Sequence, residues 1–266
     1  MTNFFQMQLQ DSHKKSVFFS LIRKARRQEI EKKKASLKWE DHKIYPSSLR
    51  SFSQCPKEFV ASLANPTTIE DLSAIYLVKR GSAVHKEFQD SLLLSDKLYP
   101  KPTNIANKRI LTKLEKNWPE VPYHSDITHH SGSADGVILY KGFPCVIEIK
   151  TTSKDMAKWE SMEGPDEAHI MQVCDYMYHL TEMNYYGQPV KTAFICYLHL
   201  MYKPGDQDAE KEFKVPYDAY KERYEAYIKE ETRQLNLVID GSEGECYYQF
   251  CKKHGAKNLD SNNKKI

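Results

Sequence analysis

After Pro122 the hydrophobic pattern of the sequence changes from helical spacing to that of extended chain. Residues 123–127, Val137–Tyr140 and Cys145–Lys150 are rich in the aliphatic, β-branched and aromatic side chains that strands favour. Lys141-Gly142 separates the last two segments and predicts the two-residue turn of a hairpin, because Gly accepts the positive φ of such turns. We therefore expect a β-hairpin in the core of the fold.

In that hairpin Asp135 lies opposite Glu148, with Cβ atoms about 5 Å apart. Two carboxylates at this separation repel each other unless a cation lies between them. Lys150 follows Glu148 by two residues, so strand alternation places both on one face, while Ile147 and Ile149 point to the other. Carboxylate oxygens suit Mg²⁺ or Mn²⁺, and an ammonium beside them can hold a water next to a phosphodiester. This arrangement fits metal-dependent phosphodiester hydrolysis.

The same spacing has a simpler interpretation. Asp135 and Glu148 can be acids of a turn and an edge strand, with Lys150 as a solvated partner. An acid two residues before a lysine is common by chance. The residues of the hairpin alone leave both interpretations open.

The remaining pattern predicts an α/β core with a mixed sheet flanked by helices. Apolar residues at helical spacing indicate helices, and continuous apolar runs indicate buried strands. Helices are expected over residues 69–94, 107–118, 165–185 and 218–237, and further strands over 191–201 and 213–215. The apolar side of the first helix is expected to contain Leu72, Ile75, Tyr76, Val84 and Phe88.

Basic charge is concentrated near the N-terminus. Residues 14–43 contain eleven Lys or Arg and four Asp or Glu, a net charge of +7, whereas the whole chain carries +3. Such an arm can bind the phosphates of a nucleic acid and release its counterions, or it can be a solvated helix or tail. Phe18, Leu21, Ile22 and Ala25 lie at helical spacing and give it one apolar face. We expect a basic, partly helical arm over residues 1–44.

Five features of the chain occur in the order found in one known family. Gly132-Ser-Ala-Asp135 precedes Glu148-Ile149-Lys150 by twelve intervening residues, and Gly81-Ser-Ala-Val-His85 lies ahead of both. Gln172-Val-Cys-Asp-Tyr176 follows, with Gln172 and Tyr176 on one helical face. A Ser-rich stretch that ends in Cys-Pro covers residues 47–56. Over residues 45–201 the chain resembles the PD-(D/E)XK nuclease superfamily, in its RecB-like or phage-type exonuclease branch.

The resemblance implies a restriction-endonuclease-like core within a nuclease domain over residues 45–251, followed by a polar tail over 252–266. It also implies that His85, Asp135, Glu148 and the backbone carbonyl of Ile149 ligate Mg²⁺ or Mn²⁺.

The resemblance further implies that Asp135, Glu148 and Lys150 form the catalytic group. Lys150 positions or activates the attacking water and stabilises charge on the transition state. Gln172 and Tyr176 orient Lys150 and the DNA backbone. Taken without the family, Tyr176 would simply be a core residue, with Met177 and Leu180 nearby.

The cysteines argue against an iron–sulfur cluster. Some relatives hold a 4Fe–4S cluster with one cysteine near the Cys-Pro motif and three in a tight C-terminal group. This sequence has Cys55, but its C-terminal part has two cysteines, Cys246 and Cys251, in place of the group of three. The cysteines at 145, 174 and 196 lie in expected core elements. Their wide scatter is typical of reduced thiols.

These features together favour a Mg²⁺- or Mn²⁺-dependent deoxyribonuclease, an exonuclease in preference to an endonuclease. Its expected substrate is linear or single-stranded DNA in phage or bacterial recombination, replication or repair. Because the sequence has no Gly-x-x-x-x-Gly-Lys-Ser/Thr loop, a separate helicase, annealing protein or polymerase is an expected partner. The alternative is a nuclease-like DNA- or protein-binding factor, such as an inhibitor of a host system, that needs no catalysis. The sequence leaves the oligomeric state open.

No apolar run approaches the ~18 residues of a membrane span, and the first residues lack a secretory signal. We expect a cytoplasmic location, that of the host if a phage encodes the protein, in preference to an organellar matrix.

Overall fold

The computed structural model describes residues 72–153, 155–201 and 207–239, together with Gln28, Lys32 and Ile44. The helices are α1 (Leu72–Leu92), α2 (Lys108–Asn117), α3 (Met156–Glu160), α4 (Glu167–Glu182) and α5 (Lys221–Ile239). The strands are β1 (Val121–His124), β2 (Ser131–Ala134), β3 (Gly136–Tyr140), β4 (Phe143–Thr152), β5 (Thr192–His199) and β6 (Glu210–Pro216).

Strands β3, β4, β5 and β6 form a four-stranded sheet in that order, and β1 pairs with β2 in a separate hairpin. β4 runs parallel to β5, whereas β3–β4 and β5–β6 are antiparallel. A parallel pair requires a crossover connection, which here contains α3 and α4. The predicted α/β core with a mixed sheet and flanking helices is confirmed, and it agrees with a restriction-endonuclease-like fold.

The β3–β4 hairpin has the predicted turn and register. Lys141 and Gly142 have φ values of 52° and 86°, as a type I′ turn needs. Tyr140 pairs with Phe143, and Gly136 pairs with Ile147. Asp135 precedes β3 directly, so the next position of this register brings it beside Glu148.

Helices cover both faces of the sheet. Gln172 of α4 bonds to Glu148 and Lys150 on one face, whereas α1 lines a groove with Ile147 and Ile149 on the other. Helix α4 begins at an N-cap, Asp166, whose carboxylate accepts a bond from the Ala168 amide. Helix α5 and the β1–β2 hairpin pack against α4. The apolar core includes Leu114, Val121, Val146, Val173, Met177 and Ile195.

Several sequence-based expectations differ from the structure. Ile127 was expected in a strand, but it lies 86% exposed in the loop between β1 and β2. Residues 131–134 form β2 although Ser, Gly and Ala have little strand preference, because they pair with β1. Phe88 was expected on the apolar side of its helix, but it is 40% exposed beside the groove. The short helix α3 was not predicted.

Other expectations fall outside the described residues. These are the basic arm apart from Gln28, Lys32 and Ile44, the Cys-Pro stretch, Cys246, Cys251 and the C-terminal tail. Ile44 is fully buried, and its backbone bonds to the His129 carbonyl and the Ser131 amide, both at 2.9 Å. Among the described helices, none is both long and apolar enough to cross a membrane.

Candidate active site

Three elements bring His85, Asp135 and Glu148 together. His85 lies on α1, Asp135 between β2 and β3, and Glu148 on β4. The Asp135 Oδ1 atom lies 3.5 Å from His85 Nδ1, and its Oδ2 atom accepts a 2.7 Å bond from the Ile149 amide. Asp135 is thus fixed by α1 and β4 at once. The observed contact of Ile149 uses its amide, and a metal contact through its carbonyl stays a prediction.

Lys150 is fixed by two side chains on its own face of the sheet. Its Nζ atom donates to Glu148 Oε1 at 2.5 Å and to Gln172 Oε1 at 2.8 Å. The Gln172 Nε2 atom donates in turn to Glu148 Oε1 at 2.9 Å and to the Tyr176 hydroxyl at 2.6 Å. Gln172 and Tyr176 are one turn apart on α4, so the predicted common face brings both beside β4.

The electrostatics of the site centre on Glu148. Burial and, to a smaller extent, the nearby Asp135 carboxylate raise the pKa of this carboxyl to about 8, although the Lys150 ammonium acts in the opposite direction. The hydrogen bond with Asp135 raises the pKa of His85, although burial opposes this effect. The ionised form of Glu148 is therefore unfavourable in this site unless a further cation lies beside it.

The donor set fits a divalent cation. The Glu148 Oε2 atom is buried and has no hydrogen-bond partner among the described residues. Such an atom is costly unless a proton or a cation satisfies it. The two carboxylates supply the oxygen ligands that Mg²⁺ and Mn²⁺ prefer, and the imidazole adds one nitrogen ligand. The residues that would hold the ion are His85, Asp135 and Glu148.

A cleft of about 590 Å³ adjoins these groups and is open to solvent. It is lined by Gly81, Ser82, His85, Lys86, Gln89, Glu120 and Thr151. The exposed Lys86 on its rim is paired with Asp90, one turn further along α1. The cleft thus gives solvent access from the α1 side to His85, which contacts Asp135.

Two polar residues of the cleft were missed in the sequence analysis. The Gln89 Nε2 atom lies 3.5 Å from Asp135 Oδ1 and 3.3 Å from Glu120 Oε1, so it joins the two carboxylates. Gln89 follows His85 by four residues, and this helical spacing could have identified it. Glu120 directly precedes β1 and belongs to no pattern that the sequence reveals.

Comparison with known proteins gives structural matches only. No family model and no curated protein matches the sequence. SSO0001, known from a crystal structure, shares 17% sequence identity with this chain. The match has a TM-score of 0.38 and covers 80% of this chain and 83% of SSO0001. An alkaline exonuclease from Laribacter hongkongensis shares 14% sequence identity. That match has a TM-score of 0.41 and covers 75% of this chain and 90% of the exonuclease. A phage-related exonuclease from Haemophilus somnus 129PT shares 13% sequence identity. That match has a TM-score of 0.34 and covers 75% of this chain and 96% of the exonuclease.

Proposed function

We propose that this protein is a Mg²⁺- or Mn²⁺-dependent deoxyribonuclease that hydrolyses DNA from its ends. One observation carries the proposal: His85, Asp135, Glu148 and Lys150 converge on one spot, where a buried carboxylate oxygen has no partner among the described residues. A divalent ion bound there supplies Lewis acidity to a phosphoryl oxygen and lowers the pKa of a nearby water.

The acids of the site have separate tasks in this proposal. Asp135 is held by the Ile149 amide, which leaves its Oδ1 atom facing His85 for a ligand role. Glu148 releases its proton when it binds a cation, since only the carboxylate is a strong ligand. His85 contributes through an unprotonated ring nitrogen. Binding of the ion therefore displaces protons from the site.

Lys150 is the residue that acts on the phosphodiester. Gln172 and Glu148 each accept one of its three N–H groups, so the ammonium is oriented before the substrate arrives. Its remaining N–H group holds the attacking water or donates to the phosphoryl oxygen that gains charge in the transition state. Tyr176 acts at one remove, because its hydroxyl accepts from the Gln172 amide.

Substitution of Lys150 tests the proposal. We expect Lys150→Ala to lower the rate of metal-dependent DNA cleavage by at least about 100-fold, as removal of a transition-state donor does. Its melting temperature stays near that of the wild type, because Glu148 can retain a proton once the ammonium is gone. The matched control is Lys191→Ala, which removes an exposed lysine 3.9 Å from Asp218.

A folded Lys150→Ala variant that cleaves DNA at the wild-type rate contradicts the assigned site. A wild-type protein that binds DNA and cleaves none with Mg²⁺ or Mn²⁺ supports the binding-factor alternative instead.

A further inference from the structure

A second group of titratable side chains lies buried between the β1–β2 hairpin, α4 and α5. His130, Asp175, His179 and Glu231 are each at most 1% exposed. Tyr123 and Tyr224 also belong to this group, which we call the buried histidine cluster. Ionisable groups are rarely buried so completely unless they are paired or coordinate a metal.

One part of the cluster is fully bonded. Asp175 Oδ1 lies 2.7 Å from His130 Nδ1 and accepts a 2.6 Å bond from the Tyr224 hydroxyl. Its Oδ2 atom accepts a bond from the Tyr123 hydroxyl. Because Asp175 Oδ1 faces His130 Nδ1, this nitrogen is the one that can share an ion with Asp175, whereas Nε2 points toward Glu231. These contacts fix the Asp175 carboxylate and the His130 ring in one orientation.

The other part has ligand atoms without hydrogen bonds. Within the residues that the structure describes, the Nε2 atoms of His130 and His179 and both carboxylate oxygens of Glu231 lack a hydrogen-bond partner. His130 Nε2 lies 3.4 Å from Glu231 Oε2, and His179 Nε2 lies 3.5 Å from Asp175 Oδ1. Burial raises the pKa of the Glu231 carboxyl, so this group can hold a proton opposite His130 Nε2. The His179 Nε2 and Asp175 Oδ1 atoms face one another at a distance that a shared cation can bridge.

We propose that His130, Asp175 and His179, with Glu231 beside them, bind a divalent transition-metal ion such as Zn²⁺. Ligand atoms of His130, Asp175 and His179 lie within 4.8 Å of one another. Tetrahedral zinc has bonds of about 2.1 Å, so its ligand atoms are about 3.4 Å apart. The distance of 3.5 Å between His179 Nε2 and Asp175 Oδ1 matches this spacing, and the distance of 2.7 Å between His130 Nδ1 and Asp175 Oδ1 has to lengthen. Glu231 faces the other ring nitrogen of His130 and can orient the ring from outside the ion.

The ligand types distinguish this site from the candidate active site. Two imidazoles with carboxylates favour zinc over magnesium, which prefers oxygen ligands alone. All four side chains are enclosed, which is typical of a structural site without a position for substrate. The Tyr123 and Tyr224 hydroxyls act as outer partners that orient the Asp175 carboxylate. The sequence signal is Asp175-x-x-x-His179, whose spacing places both residues on one helical face.

Metal in the cluster joins three elements that support the active site. His130 directly precedes β2, Asp175 and His179 lie on α4, and Glu231 lies on α5. The same helix α4 carries Gln172 and Tyr176. The ion therefore stabilises the scaffold and takes no part in phosphodiester hydrolysis.

The metal content of the full-length chain tests this site. An Asp135→Asn/Glu148→Gln background first removes the carboxylates of the candidate active site, so any ion bound elsewhere is counted alone. After growth with zinc and extensive dialysis, elemental analysis is expected to find about one zinc per chain. Replacement of zinc by Co²⁺ is expected to give the intense visible absorption of tetrahedral cobalt.

Two variants in this background assign the ligands. His179→Gln is expected to lower zinc content at least tenfold, whereas His124→Gln is expected to leave it unchanged. His124 is a matched control because it pairs with Asp126 on the same hairpin, at 2.8 Å and outside the cluster.

Absence of zinc from the background protein, with no cobalt absorption after Co²⁺ is added, overturns the proposal and leaves a hydrogen-bonded cluster. Full zinc retention in a folded His179→Gln variant also overturns it. If His179→Gln does not fold, zinc and cobalt binding by the background protein decides the question. None of these readouts uses DNA cleavage, so the result is independent of the proposed function.

Discussion

Glu148 is the residue on which the chemistry of the site depends most. Its carboxyl is buried beside Asp135, and burial raises its pKa to about 8, far above the value of about 4.3 in an unfolded chain. Between these two values the folded chain keeps a proton that the unfolded chain releases. The free energy of unfolding must therefore fall as pH rises through this window.

We predict this pH dependence for the metal-free protein. In EDTA, the free energy of unfolding of the wild type decreases from about pH 5 to pH 8, and that of Glu148→Gln decreases less. The raised pKa of His85 acts in the same direction and comes mainly from Asp135, with a smaller contribution from Glu148, so the difference between the two proteins reports Glu148 together with its effect on His85. Urea denaturation at three pH values measures it. Parallel pH profiles for the two proteins would show that Glu148 titrates normally.

A second residue-scale prediction concerns Gln172, which touches Lys150, Glu148 and Tyr176. Gln172→Ala is expected to lower kcat by about 10- to 100-fold, because the ammonium loses its orientation. KM for DNA is expected to change little, since the Gln172 amide contacts Lys150 and Glu148 and is not proposed to contact DNA in this role. Tyr176→Phe should have a smaller effect, because Gln172 keeps its bonds to Lys150 and Glu148.

The control for Gln172 is Gln188→Ala, which removes an amide bonded to the Tyr99 hydroxyl at 3.0 Å. Steady-state kinetics on one DNA substrate compare the variants. A Gln172→Ala enzyme with unchanged kcat rules out the positioning role.

Alternation and turn chemistry alone were enough to predict where Asp135, Glu148 and Lys150 lie relative to one another. The i, i+4 rule did the same for Gln172 and Tyr176. Neither pattern carries information about burial, so the isolated Glu148 Oε2 atom and its raised pKa could not be foreseen. Glu120 reaches the cleft through Gln89, a tertiary contact that no local spacing encodes.

At the scale of elements, the site requires a close approach of α1 to β4. A Cβ atom at Gly81 would lie 3.0 Å from Thr151 Oγ1. Gly81→Ala is expected to push α1 away from β4 and thus to move His85, one turn further along, relative to Asp135. The alanine also favours the helix by about 0.5–1 kcal/mol, which offsets part of the crowding.

We therefore predict that Gly81→Ala lowers the cleavage rate several-fold, by roughly the factor expected for a small misplacement, with a modest change in melting temperature. Gly164→Ala is the matched control, because nothing lies within 4 Å of its added Cβ atom. Equal cleavage rates for the two variants would mean that the α1–β4 contact does not set the geometry of the site.

The long elements of the fold could be predicted because their apolar residues repeat with the period of a helix or strand. β2 and α3 could not. β2 consists of small residues that become a strand only through pairing with β1, and α3 spans only Met156–Glu160, too short to show a helical period. The buried position of His130 likewise depends on contacts with α4 and α5 that are distant in sequence.

At the scale of the whole molecule, the net charge of +3 conceals a strongly basic N-terminal segment. We predict that deletion of residues 1–43 weakens DNA binding mainly at low salt. It should also flatten the salt dependence: the slope of the logarithm of the affinity against the logarithm of the salt concentration becomes smaller by ~0.7–0.9 for each phosphate that the arm no longer neutralises. The deletion must stop before Ile44, because this residue is buried and hydrogen-bonded to the β1–β2 hairpin.

Variants that differ only in charge show whether the deletion acts by removing positive charge or by removing the segment itself. Replacing Lys32, Lys33 and Lys34 together by Gln should reduce the salt slope, whereas replacing them by Arg should preserve it. Fluorescence anisotropy with a labelled oligonucleotide at several salt concentrations measures the slope. Identical slopes for the deleted and intact chains would assign the segment another task.

We propose that the group formed by His85, Asp135, Glu148 and Lys150 makes this protein a metal-dependent nuclease that works from DNA ends. One gel tests it, with end-labelled linear and covalently closed circular DNA, single- and double-stranded, in Mg²⁺, Mn²⁺ or EDTA. We predict that linear DNA is degraded with either metal, that circles stay intact, and that EDTA or Asp135→Asn stops the reaction. Intact linear DNA under every condition, or degradation that persists in Asp135→Asn, would contradict it.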